Sequence, residues 1–371
     1  MNASRLLEIV DLIIAHEDEA ATESRLSDVS SALGQLVSSP AEPSYQQSLS
    51  SSIEKLKEAL DLFIRTFQPA QVKLLEEIGA GPYFVEDIAG EIQRWMSDGP
   101  ATPAVAQDKL AKLIKIRSAF ISEIKSLRAS LLTIGIKKDE LEPGQAEVGF
   151  LLPRDLFENH LDKLIDELRF IKRAVRAFSE AATGSAEPIE VRQISTTDPQ
   201  FFFGLSTATI ALLGLAVNWA LSTWRQVEDI RRIRAETEKI AAFKEDPIAE
   251  LFDAKINKVV GASIDAKVQE ILDKVDGRDG RKHEQATDLK WALESILARV
   301  ERGMTVEIRL LPPAISDGGD DAAAAKIQFD DLKQVADQLV FPKMAGDPVL
   351  ALPPVERQPQ KQGRRAPEAS G

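Results

Sequence analysis

Three histidines, His16, His160 and His283, are the only imidazoles in the chain, and imidazole is the side chain most often used for proton transfer near neutral pH. Each lacks the neighbour that such chemistry needs. His16 stands beside Glu17, Asp18 and Glu19, His160 lies between Glu158 and Asp162, and His283 follows a glycine turn. No two of them fall at the spacing that puts a ligand pair on one helical turn, and HExxH does not occur. Cysteine is absent, which excludes disulfides, thiolate ligands and thiol nucleophiles. Gly79-Ala80-Gly81 lacks the third glycine and the preceding strand of a phosphate loop, and neither the Walker spacing nor a G-x-S-x-G elbow is found. Asp276-Gly277-Arg278-Asp279-Gly280 places glycine at the third ligand position of a calcium loop, without the closing glutamate. The pairs Glu76-Glu77 and Glu86-Asp87 read as solubilising charge on helix surfaces. The sequence therefore nominates no catalytic, cofactor-binding or metal-ligating residue, and no cofactor is expected.

The residues that suggest contact with something outside the chain are basic or apolar. Arg225, Arg231, Arg232 and Arg234 are interleaved with Glu228, Asp229, Glu236 and Glu238. On a helix, Glu228 with Arg232, Arg232 with Glu236, and Arg234 with Glu238 stand four apart, the spacing of exposed ion pairs. The same arginines suit a partner's acidic surface, or anionic lipid headgroups where the preceding helix inserts. The interleaved acids and a formal net charge of -13 disfavour nucleic acid, which needs a basic face.

These arginines follow Phe201 to Trp224, a stretch without a charged residue. At about 1.5 Å per residue it is long enough to cross a bilayer of about 30 Å. Its length, its lack of charge, and Trp219 and Trp224 near one end favour a membrane span. Gly214, Asn218 and several Ser and Thr residues weaken insertion. The positive-inside rule would also export everything before the helix, although Met1 to Ala15 lacks a signal-peptide pattern. A helix apolar all round is equally the central helix of a soluble or oligomeric core, and this is the reading adopted. Phe201, Leu205, Leu212, Leu213, Val217, Trp219 and Trp224 are the candidate interaction or membrane-inserting residues. Arg225, Arg231, Arg232 and Arg234 are the candidate lipid or partner contacts. With no breaker before Pro247, one helix over 201–243 is expected.

The remaining elements follow from periodicity. Helices are expected over Asn2–Ala15, Glu23–Val37, Ile53–Phe67 and Ala104–Ile134, with Ser38–Ser52 as a linker leading into a helix start. Pro153 opens a helix whose seam is Phe157, Leu161, Leu164, Leu168, Ile171, Val175 and Phe178. Strands are expected at Val148–Leu152, Ile189–Ile194 and Thr305–Leu311. In the last, Val306, Ile308 and Leu310 point in, and Glu307 and Arg309 point out. The second and third strands share an apolar-Glu-apolar-Arg pattern, so antiparallel pairing between them would set unlike charges together.

The expected fold is α+β and predominantly α. A helical bundle covers residues 1–140. An α+β region over 141–341 holds about three strands, the long helix and a helical hairpin over 248–302. A Pro-, Gln- and Arg-rich disordered tail covers 342–371. The expected function is a non-enzymatic, cytoplasmic interaction or assembly protein that self-associates or binds a protein partner through helix 201–243. The alternative is a membrane-acting or membrane-anchored effector at the inner membrane, in which helix 201–224 inserts.

Overall fold

The computed structural model describes residues 3–84, 87–97, 102–137, 141–195, 199–238, 246–274, 282–313, 320–342 and 347–355. In chain order the elements are α1 (Ala3–Ala20), α2 (Thr22–Ser38), α3 (Pro43–Thr66), α4 (Pro69–Glu77), α5 (Gly81–Phe84), α6 (Ile88–Ser97), α7 (Thr102–Thr133), β1 (Ala146–Leu151), α8 (Arg154–Phe157), α9 (Leu161–Thr183), β2 (Glu190–Ser195), β3 (Gln200–Gly204), α10 (Thr207–Glu238), α11 (Asp246–Lys274), α12 (Lys282–Val300), β4 (Thr305–Leu310) and α13 (Asp320–Asp337). The chain is α+β and predominantly α, with four strands rather than three. It forms two compact units. Unit 1 takes residues 1–151, 191–214 and 306–342, and unit 2 takes 152–190, 215–305 and 343–371. They interleave along the sequence, so no single cut near residue 140 separates them.

In unit 1, α7 contributes to two apolar clusters. Its first half gives Ala106 and Leu110 to a cluster with Leu26, Leu33, Leu56 and Ile92. Its second half gives Ile121 and Ile124 to another with Ile9, Ile13, Leu75 and Phe84. At core phase between these halves sits Arg117, only 1% exposed. Its guanidinium takes both oxygens of the buried Glu17 carboxylate, one at 3.2 Å, and lies 4.8 Å from the Phe84 ring centroid. Glu17 also accepts the Glu23 amide at 2.9 Å and so satisfies one of the open N–H groups at the start of α2. This explains why α1 does not stop at Ala15. Within the acidic turn Glu17 is buried and paired, and the His16 ring packs at a tilt against Phe67 at 5.0 Å, while Asp18 and Glu19 are exposed. The expected linker also shortens, because Pro43 is the first residue of α3, where a missing N–H costs nothing.

The sheet has the order β2-β3-β1-β4, and β1 pairs antiparallel with β3, Val148 opposite Phe203 and Phe150 opposite Phe201. The expected β2–β4 pairing is therefore wrong: β3 and β1 lie between them. The missing strand is β3, built from Phe201-Phe202-Phe203, which the periodicity had assigned to the long helix. All three phenylalanines are buried, and a strand buried on both faces loses the alternation that marks a strand. Val148, Phe150, Phe201, Phe203, Val306 and Ile308 line one face of the sheet.

The opposite face is charged and equally buried, which corrects the outward placement of Glu307 and Arg309. Arg5 of α1 pairs with Glu307, and the Gln200 side-chain amide donates to the same Glu307 oxygen at 3.1 Å. Arg309 donates to Glu147 and to Glu8 of α1, both at 2.7 Å. The guanidiniums of Arg5 and Arg309 lie 5.4 and 5.2 Å from the Phe202 ring centroid. Because the second layer on this face is α1 and not water, alternation alone misassigned it.

In unit 2 the helix expected from Pro153 is two helices. Glu158 and Asn159 both adopt positive φ, 47° and 57°, and break it. Leu161, expected in the seam, is 70% exposed, whereas Phe170, Ile171, Val175 and Phe178 are buried. Here α9 meets α12 through an arginine anchor like that of unit 1. Arg299 donates to both oxygens of Glu167 at 2.6 and 3.0 Å and lies 3.8 Å from the Phe170 centroid. The hairpin is present as α11 and α12, tied by Lys290 to Asp265 at 2.7 Å.

Candidate interaction site on the long helix

The long helix is α10. It starts at Thr207 rather than Phe201 and is continuous through Trp224 to Glu238; residues 239–243 of the expected helix lie outside the described residues. Phe201 belongs to β3, and Leu205 lies between β3 and α10. Ser206 opens the helix: its backbone carbonyl accepts the Ile210 amide at 3.0 Å, and its hydroxyl accepts the Thr209 amide at 3.3 Å.

Ile210, Leu213, Val217, Ala220, Trp224 and Val227 are all buried, and their alternating spacing of three and four puts them in one seam. Of the candidates, Leu213, Val217 and Trp224 therefore belong to the chain's own core. Gly214 beside this seam permits close packing. A Cβ there would stand 2.5 Å from Val335 of α13 and 2.8 Å from Ile308 of β4. What reads in the sequence as a defect for membrane insertion is a packing requirement in unit 1.

The other face of α10 carries Ala208, Ala211, Leu212, Leu215, Trp219 and Ser222, which fall in one stripe along the helix. Ala208 and Ser222 are exposed and the rest are half-buried. In unit 2 the Trp219 indole N–H donates to the Ser263 hydroxyl at 2.9 Å, and the Thr223 and Ser263 hydroxyls share a hydrogen bond at 3.0 Å. Arg234 reaches Asp253 at 3.0 Å. The contacts move backward along α11 as α10 advances, so these two helices run antiparallel.

Arg231, Arg232 and Arg234 take acidic partners, though not through the Glu228–Arg232 or Arg232–Glu236 pairs expected from a spacing of four. Arg231 donates to Glu228 at 2.6 Å and Arg232 to Asp229 at 3.1 Å, both at a spacing of three. Arg234 pairs with Asp253 of α11. Arg225 is exposed. Structure thus brings Leu212, Leu213, Val217, Trp219 and Trp224 onto one helix but divides them between its two faces, and it leaves Phe201 and Leu205 out of that helix.

The three histidines lie on or next to three different elements. His16 is packed on Phe67, and burial holds its pKa below the ordinary histidine value against the opposing pull of Glu19. His160 precedes α9, and His283 lies in the first turn of α12. No group of three or more metal-ligating side chains occurs among the described residues. Comparison with family models, with curated proteins and with solved structures gives no match.

Proposed function

We propose that the chain is a non-enzymatic interaction protein that self-associates, or binds a protein partner, through the half-buried stripe of α10. The observation that carries this reading is the division of an all-round apolar helix into two faces. One face is consumed by the protein's own core, and the other, centred on Leu212 and Leu215, stays partly open. Apolar surface of this kind is stabilised when a second surface covers it.

A membrane reading draws on a different observation. Thr207–Thr237 is long and apolar enough to cross a bilayer, yet 56% of its most apolar window is buried inside the protein. Insertion would have to pull that face out of its packing and break the Trp219–Ser263 hydrogen bond between α10 and α11. The interaction reading requires neither.

Leu212 and Leu213 are adjacent and about 100° apart on the helix, yet Leu213 is fully buried and Leu212 half-buried, and this makes the test. Leu213→Glu places a charge in the core, at a cost of several kcal/mol, and is expected to lower thermal stability sharply. Leu212→Glu is expected to keep the fold while shifting sedimentation toward the monomer or abolishing partner capture. A wild-type chain that stays monomeric and captures nothing, or an L212E variant indistinguishable from it, sinks the proposal. Recovery of the untagged protein in the carbonate-resistant membrane pellet would replace it with the membrane reading.

A further inference from the structure

Residues 347–355, inside the stretch expected to be a disordered tail, hold a defined place in unit 2. Four side chains grip the segment through its main chain. The buried Glu301 carboxylate accepts the Val349 amide at 2.8 Å on one oxygen and the Leu350 amide at 2.9 Å on the other. Arg302 donates to the Leu350 carbonyl at 2.7 Å, Arg231 to the Asp347 carbonyl at 2.8 Å, and the Trp291 indole N–H to the Pro354 carbonyl at 3.3 Å. All five bonds from the segment use backbone groups.

The grip is built into the end of α12. Gly303 adopts φ 88°, its amide bonds to Val300 at 2.9 Å, and the Met304 amide bonds back to Arg299 at 2.9 Å. This left-handed helix termination favours glycine and presents Glu301 and Arg302 side by side. Arg302 is steadied by the Ala298 carbonyl at 2.6 Å. Ten residues earlier, Trp291 lies under the Arg173 guanidinium at 3.9 Å and 6.2 Å from the Phe170 ring. From Leu350 to Pro354 the segment covers roughly 12 Å if extended at about 3.1 Å per residue, and Trp291 to Glu301 spans roughly 15 Å of helix. The segment therefore runs back along α12. Pro353 and Pro354 bring no N–H to satisfy, and they favour this extended form.

None of residues 347–355 is fully buried; Val349 is 42% exposed. A core element is held by side-chain burial, whereas this segment lies in a shallow track and is held by hydrogen bonds that any copy of the same peptide can make. We propose that the track formed by Arg231, Trp291, Glu301 and Arg302 is a peptide-binding groove for an extended Leu-Pro-Pro segment, filled in cis by residues 347–355 and able to take the same segment from a second copy of the chain. The same segment in trans satisfies every bond described here, and exchange of identical elements between protomers is a low-cost route to a dimer. The inference is independent of the α10 stripe.

The test uses full-length chains that all carry Leu212→Glu, so that α10 does not contribute to association. Leu350→Pro removes one amide that Glu301 accepts and leaves the groove intact. Glu301→Ala damages the groove and leaves the segment intact. A fluorescent peptide of residues 347–355 is expected to bind the L350P chain at least about 10-fold more tightly than the chain with its own segment, since a tethered competitor acts at an effective concentration of about millimolar. It should fail to bind the chain carrying both changes. The L350P and E301A chains, mixed, should form a 1:1 heterodimer by native mass spectrometry, and neither should dimerise alone. Absence of peptide binding to a folded L350P chain, or equal binding when Glu301 is also changed, overturns the groove. Peptide binding without a heterodimer overturns the second copy as its occupant. Val349→Pro removes the other amide and replaces L350P should that variant lose its circular dichroism.

Discussion

On one face of the unit 1 sheet, Val148, Phe150, Phe201, Phe203, Val306 and Ile308 form a buried apolar layer, and Ile308 comes close to Gly214. On the other, Glu147, Gln200, Glu307 and Arg309 surround Phe202 and are matched by Arg5 and Glu8 of α1. Both faces exclude water, but they do so by opposite chemistry. Apolar burial yields about 25 cal/mol per Å² whichever residues meet, so the first face stabilises without selecting one alignment. Buried charges give back much of their attraction as desolvation. What the second face gains is selectivity, because sliding α1 by one turn would leave Arg5 and Arg309 facing the wrong partners.

The sharpest way to break this comparison is to remove one charge. Glu307→Ala leaves Arg5 buried without its carboxylate and is expected to cost about 3–5 kcal/mol in urea unfolding. The double change Arg5→Met with Glu307→Leu should recover most of that loss, as apolar replacement of a complete buried pair does in other proteins. If the double variant is as unstable as E307A, pairing is not what governs this face. A smaller effect probes the apolar face. Gly214→Ala sets a methyl within 2.8 Å of Val335 and Ile308 and is expected to cost about 1–3 kcal/mol by overpacking. Adding Val335→Ala should return part of that loss; no recovery would mean that the closeness of α10 to α13 is not the cause.

The smallest effect separates α1 from the sheet it covers. Burial lowers the His16 pKa from its ordinary value of 6.5, so the unfolded chain binds this proton more readily than the folded one. The contribution is present above the ordinary value and is lost as pH falls below it. The melting temperature should therefore decline slightly from pH 7.5 to 5.5, and His16→Leu should flatten that part of the profile. An unchanged slope in H16L would assign the decline to other groups.

How much of this was legible in the sequence depended on what lay next to each residue. The two halves of α7 repeat at intervals of three and four because each has one dry side, and that pattern could be read directly; the seam of α10 was hidden in a run that is apolar all round. Phe201 to Phe203 are dry on both sides of a strand, so they carry no alternation and were taken into the neighbouring helix. Glu307 and Arg309 alternate as solvent-facing residues do, and only the presence of α1 above them makes that face interior. Glu158 and Asn159 break a helix without the glycine or proline that usually announces it. Residues 347–355 hold their place through backbone atoms, which have no side-chain signature, so their composition read as a tail. Leu212 and Leu213 were both nominated from one apolar run, and only the packing of α10 makes Leu213 buried and Leu212 half-buried.

Arg5 and Glu307 are 302 positions apart. At a synthesis rate of about 5–20 residues per second, roughly 15–60 s pass between the emergence of α1 and that of the strand which completes its pairing. Throughout that interval the surface of α1 that will meet the sheet stands in water. A leucine-rich surface would be exposed for the same time to every other nascent chain and would invite aggregation. Arginine and glutamate stay hydrated until β4 arrives. The charged face of the sheet thus gives the emerging chain a helix that can wait without sticking, at the cost of a contact that adds less to the finished fold.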